Sequence, residues 1–193
     1  MSAELYRLLE NILRVGVVAE VDTKNWMVRV RSGDLLTGWL RWNTVRAGTF
    51  KLWLPPAVGE QVIIGCMGGN PETAMIIGSL YSVDNPAPGQ TGQEAVLTAP
   101  DGATFRYDAA TGALEATGIK TADIYASVGI TLHTPKVTCT QHLETATLSV
   151  TQGGEMQGNF THSSGKFTSN GVQVDSHDHG GVQHGGSWTE GIK

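Results

Sequence analysis

Hydrophobic residues recur at i, i+3, i+4, i+7 and i+8 near the start of the chain, at Leu5, Leu8, Leu9, Ile12 and Leu13. That spacing predicts an amphipathic helix, with Ser2 as its N-cap. A helix this short is marginal alone in water. Its apolar face must therefore dock on its own domain or on a neighbouring subunit. From Val15 to Tyr81 the period falls to two. Val15–Val21 precedes the turn Asp22-Thr-Lys-Asn25. Trp26–Arg31 then alternates, with Val28 and Val30 on one face and Arg29 and Arg31 on the other. After the turn Ser32-Gly-Asp34, three more strands are expected at Leu35–Trp42, Glu60–Ile64 and Ala74–Tyr81. Five or so short strands in this span predict a small closed barrel of the OB type.

From Ala95 onward the pattern changes. Apolar residues come as i, i+2 pairs separated by polar turns: Ile130/Leu132, Val137/Cys139, Leu148/Val150 and Val172/Val174. Thr fills many positions between them, which suits a pleated surface. A monomer of such strands would bury too little surface and leave its edges open. Several identical chains wound around a common axis, with the pairs pointing inward, would share one core. A solenoid within one chain is the alternative, but it needs a repeat of fixed length. The spacing between pairs drifts, which favours intertwining.

Composition sharpens the division. Residues 1–93 carry 8 basic and 8 acidic side chains, whereas residues 94–193 carry 5 and 10. The whole formal charge of −5 thus falls in the second half. Trp26, Trp39, Trp42 and Trp53 lie in the first half, where they are expected to supply much of the core. Asp84-Asn-Pro-Ala-Pro-Gly-Gln-Thr-Gly92 marks the boundary. At 193 residues the chain excludes a large multidomain enzyme. Two cysteines, Cys66 and Cys139, make no disulfide framework. The N-terminus has no unbroken apolar core of a secretory signal, and no stretch reaches the length of a membrane helix. Synthesis and folding in the cytoplasm are expected.

Asp175-Ser-His-Asp-His-Gly-Gly-Val-Gln-His184 concentrates the candidate chemistry. In an extended chain His177 and His179 point to the same side, and Asp178 faces away. Imidazole suits Zn, Cu, Fe and Ni. Two imidazoles are too few for a closed site. Around a threefold axis three chains would supply six, and an octahedron suits Fe(II) or Ni(II) better than tetrahedral Zn. Flanking glycines would let three backbones crowd together. The bland alternative is a solvated polar tail. His184 reads as a surface residue, and His133, His142 and His162 as ordinary strand or loop residues.

In order along the chain, the N-terminal helix, a barrel containing Pro55-Pro-Ala-Val-Gly-Glu-Gln-Val-Ile-Ile64, the segment Pro100-Asp-Gly-Ala-Thr-Phe-Arg-Tyr107, a Thr/Gly-rich strand region and a terminal H-x-H resemble a known family. The family is the central spike of contractile phage tails (baseplate assembly protein V), together with the homologous spikes of R-type pyocins. The resemblance covers essentially the whole chain. It implies a mainly β homotrimer: an N-terminal helix at 1–14, an OB-fold barrel at 15–83, a linker at 84–95, an intertwined β-helical shaft at 96–176, and a metal-binding tip and tail at 177–193. It implies attachment to the baseplate hub and tail tube through the OB domain, at the centre of the baseplate. It further implies one structural iron ion, as Fe2+, held on the axis by His177 and His179 of three chains. Sheath contraction would then drive the spike mechanically through an outer membrane.

Some larger relatives insert a lysozyme domain between barrel and shaft. Only a short linker stands there in this chain, so no enzyme activity, small-molecule substrate or nucleic acid is expected. Two other readings compete with this one. In an OB-fold binder of single-stranded nucleic acid, Trp26, Trp39 and Trp42 would stack bases and Arg29, Arg31, Arg41 and Arg46 would contact phosphate. A neutral first half beside an acidic second half argues against a polyanion. In a non-haem iron enzyme, His177 and His179 would join a carboxylate. The Gly, Ser, Gln and Asp around them build no substrate pocket.

Overall fold

Val28 and Val30 are fully buried, as the alternation of their strand demands, while Arg29 and Arg31 face outward. They belong to a barrel in the first of two units, residues 1–128 and 129–193. The computed structural model describes residues 2–176 and residue 185. His177, His179 and His184 lie outside the described residues.

The barrel is one six-stranded sheet in the order β3-β2-β1-β5-β6-β4. Its strands are β1 (Leu13–Asp22), β2 (Met27–Ser32), β3 (Leu35–Leu36), β4 (Arg41–Trp42), β5 (Gln61–Cys66) and β6 (Ala74–Leu80). β1 pairs antiparallel with both β2 and β5, and β6 pairs antiparallel with β5. Two backbone hydrogen bonds between Val28 and Leu40, at 2.8 and 2.9 Å, close the ring from β2 to the approach of β4. Asp22 Oδ1 accepts the N–H groups of Lys24 and Asn25, fixing the β1–β2 turn.

The single strand expected over Leu35–Trp42 is instead two short pieces, and the second pairs parallel with β6. The cause is Thr37. It is 2% exposed. Its hydroxyl accepts the Val30 N–H at 3.0 Å, in place of a backbone carbonyl. That side-chain bond interrupts the ladder and lets the chain cross to the other edge.

The core is aliphatic: Val18, Val28, Val30, Leu40, Val62, Ile64, Cys66, Ala74 and Ile76. The expectation that tryptophans supply it is corrected. Trp26 is 58% exposed, Trp39 49% and Trp53 54%. Branched aliphatic side chains on alternating positions already fill so small a barrel. The tryptophans fall on outward positions and loops, and Trp42 alone packs partly against the core.

The helix α1 (Ala3–Asn11) starts at the expected cap, with Ser2 Oγ accepting the Leu5 N–H at 3.3 Å. It sits on the end of its own barrel. Gly69, at φ +73°, lies so close to the Leu8 backbone that no Cβ would fit. The Ile12 carbonyl accepts the Cys66 N–H at 2.8 Å. Leu5, Leu9 and Ile12 nevertheless remain exposed.

After the linker, β7 (Glu94–Thr98), β8 (Thr104–Asp108) and β9 (Ala113–Thr117) form an antiparallel meander within one chain. The stretch read from sequence as one shaft beginning at residue 96 therefore opens with a sheet that pairs with itself. From Gly118 to Phe167 no residue belongs to an in-chain strand. A two-residue hairpin, β10 (Thr168–Ser169) with β11 (Val172–Gln173), follows. Phe167 lies 6.3 Å from Phe160 and 6.1 Å from His162, ring to ring.

Candidate functional site

Three surfaces concentrate the chemistry of the chain. The first is on the barrel. β4 and the loop after it line a groove of about 450 Å³ with Trp26, Arg41, Trp42, Arg46, Lys51 and Trp53. Trp42 and Trp53 pack at 5.8 Å between ring centroids and 56° between planes, a tilted arrangement favoured by ring quadrupoles. Residues 41–59 contain Arg41, Arg46 and Lys51 and no carboxylate. Phe50 and Leu54 on the same loop are also exposed. Nearby, Arg29 stands over the Trp39 ring at 6.0 Å and pairs with Glu20 at 2.8 Å. Sequence reasoning placed these tryptophans inside. The missed signal is the run of basic residues without acidic neighbours from 41 to 59.

The second surface is the meander. Arg106 on β8 gathers three carboxylates: Glu94 at 2.8 Å, Asp108 at 2.9 Å and Glu115 at 3.3 Å. Strand alternation makes this inevitable. In the registers Glu94↔Asp108, Val96↔Arg106 and Arg106↔Glu115, all four charges share one face. The Glu94 carboxyl is pulled down to about 2, first by the Gln90 N–H, then by Arg106 and the Thr91 N–H. Asp108 is also lowered, first by the Ala110 N–H. The guanidinium is held charged beyond its usual range, chiefly by its bond to Glu94.

The third is residues 119–174. Ile130 is 59% exposed, Leu132 65%, Leu148 75% and Val150 61%. Val137, Val172 and Val174 are likewise open, and Cys139 is exposed and free. The pairs Ile130/Leu132, Val137/Cys139 and Leu148/Val150 thus lie largely exposed in the single chain. Of the six histidines, His162 lies 4.0 Å from Asp175. Among the described residues no group of three or more His, Cys, Asp or Glu side chains is arranged to hold a metal ion. No described helix is long and apolar enough to cross a membrane.

Comparison with known proteins follows the same division. Residues 14–81 match the family model for the type VI secretion system/phage-baseplate injector OB domain. Residues 118–170 match the family model for the phage spike trimer. The chain is 40% identical to the spike protein of Escherichia phage P2, over 94% of this chain and 93% of that protein. This protein belongs to the phage spike protein family, with an injector-type OB domain followed by a spike segment.

Proposed function

We propose that this protein is the non-enzymatic central spike of a contractile phage tail or a related headless particle. It works as a homotrimer at the centre of the baseplate, at the tip of the tail tube. One observation carries the reading. The apolar pairs from Ile130 to Val150 lie largely exposed in the single chain, within the stretch 118–170 that is similar to a phage spike trimer. Hydrocarbon exposed on that scale marks an interface. Three chains wound together as a β-helix would bury it and cover one another's edges.

Each part then has a task. The OB barrel joins the spike to the hub and tube, and the cationic, aromatic groove around Trp53 and Arg46 suits an acidic partner surface. The shaft transmits thrust from the contracting sheath. Its acidic balance keeps a slender object soluble and away from anionic membrane. Chain ends normally fray first, so a tip needs a tie. His177 and His179 of three chains offer six imidazole nitrogens, a donor set that fits one Fe2+. A bound ion would supply cross-linking only, because six protein ligands leave no open position for a substrate.

The test is functional. Particles assembled without this chain should no longer release periplasmic enzymes from target cells, and adding the gene back should restore release. Full release without the chain would contradict the spike reading. The exposed tryptophans favour one rival, a surface that stacks single-stranded nucleic acid. Salt-sensitive quenching of tryptophan fluorescence by an oligothymidylate would support that rival.

A further inference from the structure

Trp26 holds a backbone conformation that bulky residues rarely adopt. Its φ is +59°, in the left-handed region that turns usually reserve for Gly or Asn. The β1–β2 turn imposes it. Asp22 accepts the N–H groups of Lys24 and Asn25 and the Asn25 side-chain amide, so the chain must reverse just before Trp26. A glycine would complete the same turn with less strain. The ring does not compensate by joining the core, because Trp26 is 58% exposed. It forms instead one wall of the groove with Arg41, Trp42, Arg46, Lys51 and Trp53. Strain kept at a residue that packs nothing inside points to recognition.

The cations of this groove are unmatched. Elsewhere Arg7 pairs with Glu4, Arg29 with Glu20, and Arg106 with three carboxylates. Among the described residues no carboxylate pairs with Arg41, Arg46 or Lys51. The positive charge also stops at the groove. Asp22 stands in the same turn as Trp26, and Glu20 neutralises Arg29 beside Trp39. A site for single-stranded nucleic acid needs a positive path that follows the backbone over several nucleotides. A short patch of Trp and Arg is instead the composition of a protein–protein hot spot. Three such grooves turned to one axis would crowd the cations of three chains together, so a second copy is a poor occupant. The whole groove falls within the stretch similar to the baseplate injector OB domain.

We infer that the groove seats an acidic segment of a foreign baseplate protein. Carboxylates of that segment pair with Arg41, Arg46 and Lys51, and an apolar side chain beside them packs on Trp26 and Trp53. This rests on the reading of the OB barrel as the attachment domain, and gives that attachment a place and a chemistry. Trp26 keeps its unfavourable φ because a glycine there would leave the groove without a wall.

The experiment uses whole particles assembled with the full-length chain. A carbodiimide couples the Lys51 amine to a carboxylate in contact with it, forming an amide while the reagent takes up the water lost. Mass spectrometry of the digest should find Lys51 joined to an Asp or Glu of another particle protein. Trp26→Gly supplies a second readout. It should melt at or above the wild-type temperature and keep the wild-type oligomeric state, yet enter particles roughly tenfold less often. A merely structural Trp26 would not separate stability from assembly in this way. Lys51 joined to another copy of this chain, or to nothing, overturns the assignment. So does a Trp26→Gly chain that enters particles as readily as wild type, or oligothymidylate binding that Trp26→Gly abolishes. Each of these leaves the spike reading standing. A wild-type chain that never enters particles overturns both.

Discussion

Gly118, at the exit from β9, rests against the Gly102 carbonyl in the β7–β8 turn, with room there for hydrogen but not for a methyl group. Two costs would meet in Gly118→Ala: the left-handed φ and the steric contact. Gly112 separates them. Its φ is +68° and nothing lies within 4 Å of a built Cβ. Gly112→Ala should therefore cost about 1–2 kcal/mol, from the backbone alone. Gly118→Ala should cost more. Denaturant unfolding of both variants checks this, and equal losses would remove any packing role for Gly118.

Arg106→Ala should weaken the meander more than truncation of an ordinary surface arginine, because it leaves Glu94, Asp108 and Glu115 facing one another. Isolated exposed pairs contribute little, but here one cation serves three carboxylates, and the Glu94 side chain is 6% exposed. Arg106→Lys should recover only part of the loss, since a point charge cannot reproduce the guanidinium fork. Melting temperatures should rank wild type, then Lys, then Ala. An Ala variant as stable as wild type would contradict the cage.

The same cage sets a pH dependence. Glu94 ionises near 2 in the folded chain, against an ordinary 4.5. A lowered carboxylate stabilises the fold fully above its unfolded value, and that contribution fades as pH falls from 4.5 toward 2. Asp108 acts in the same direction. Wild type should melt above Glu94→Gln at about pH 6, and the two curves should converge toward pH 2. A gap that stays constant with pH would show that Glu94 acts through packing.

Metal content tests the tip. Purified protein should contain one iron per three chains by elemental mass spectrometry. His177→Ala and His179→Ala should each lose it without dissociating the trimer, because the shaft holds the chains together independently. Binding at the chain ends should also raise their resistance to proteolysis. Full iron content in both variants would place the ion elsewhere.

Much of the barrel was legible because its strands obey a strict period of two. Val28 and Val30 had to face the same way, and Ser2 stood where a cap was needed. The break after Leu36 was hidden, because it depends on one Thr37 hydroxyl replacing a backbone acceptor across the ladder. The outward tryptophans were hidden for a related reason. Alternation says which residues share a face, but in a barrel this small Val and Ile exhaust the interior volume. The apolar pairs from Ile130 to Val174 were plain as a pattern, and their exposure in one chain fits a core that more than one chain supplies. The meander was seen only as the motif Pro100–Tyr107, since its pairing depends on register. His177 and His179 rest on spacing and resemblance alone.

The proposal that three chains share one core is tested most directly by a native mass spectrum of the purified protein. The expected species is an assembly of three 20.5 kDa chains, intact in dilute solution. A 20.5 kDa monomer under the same conditions would contradict it.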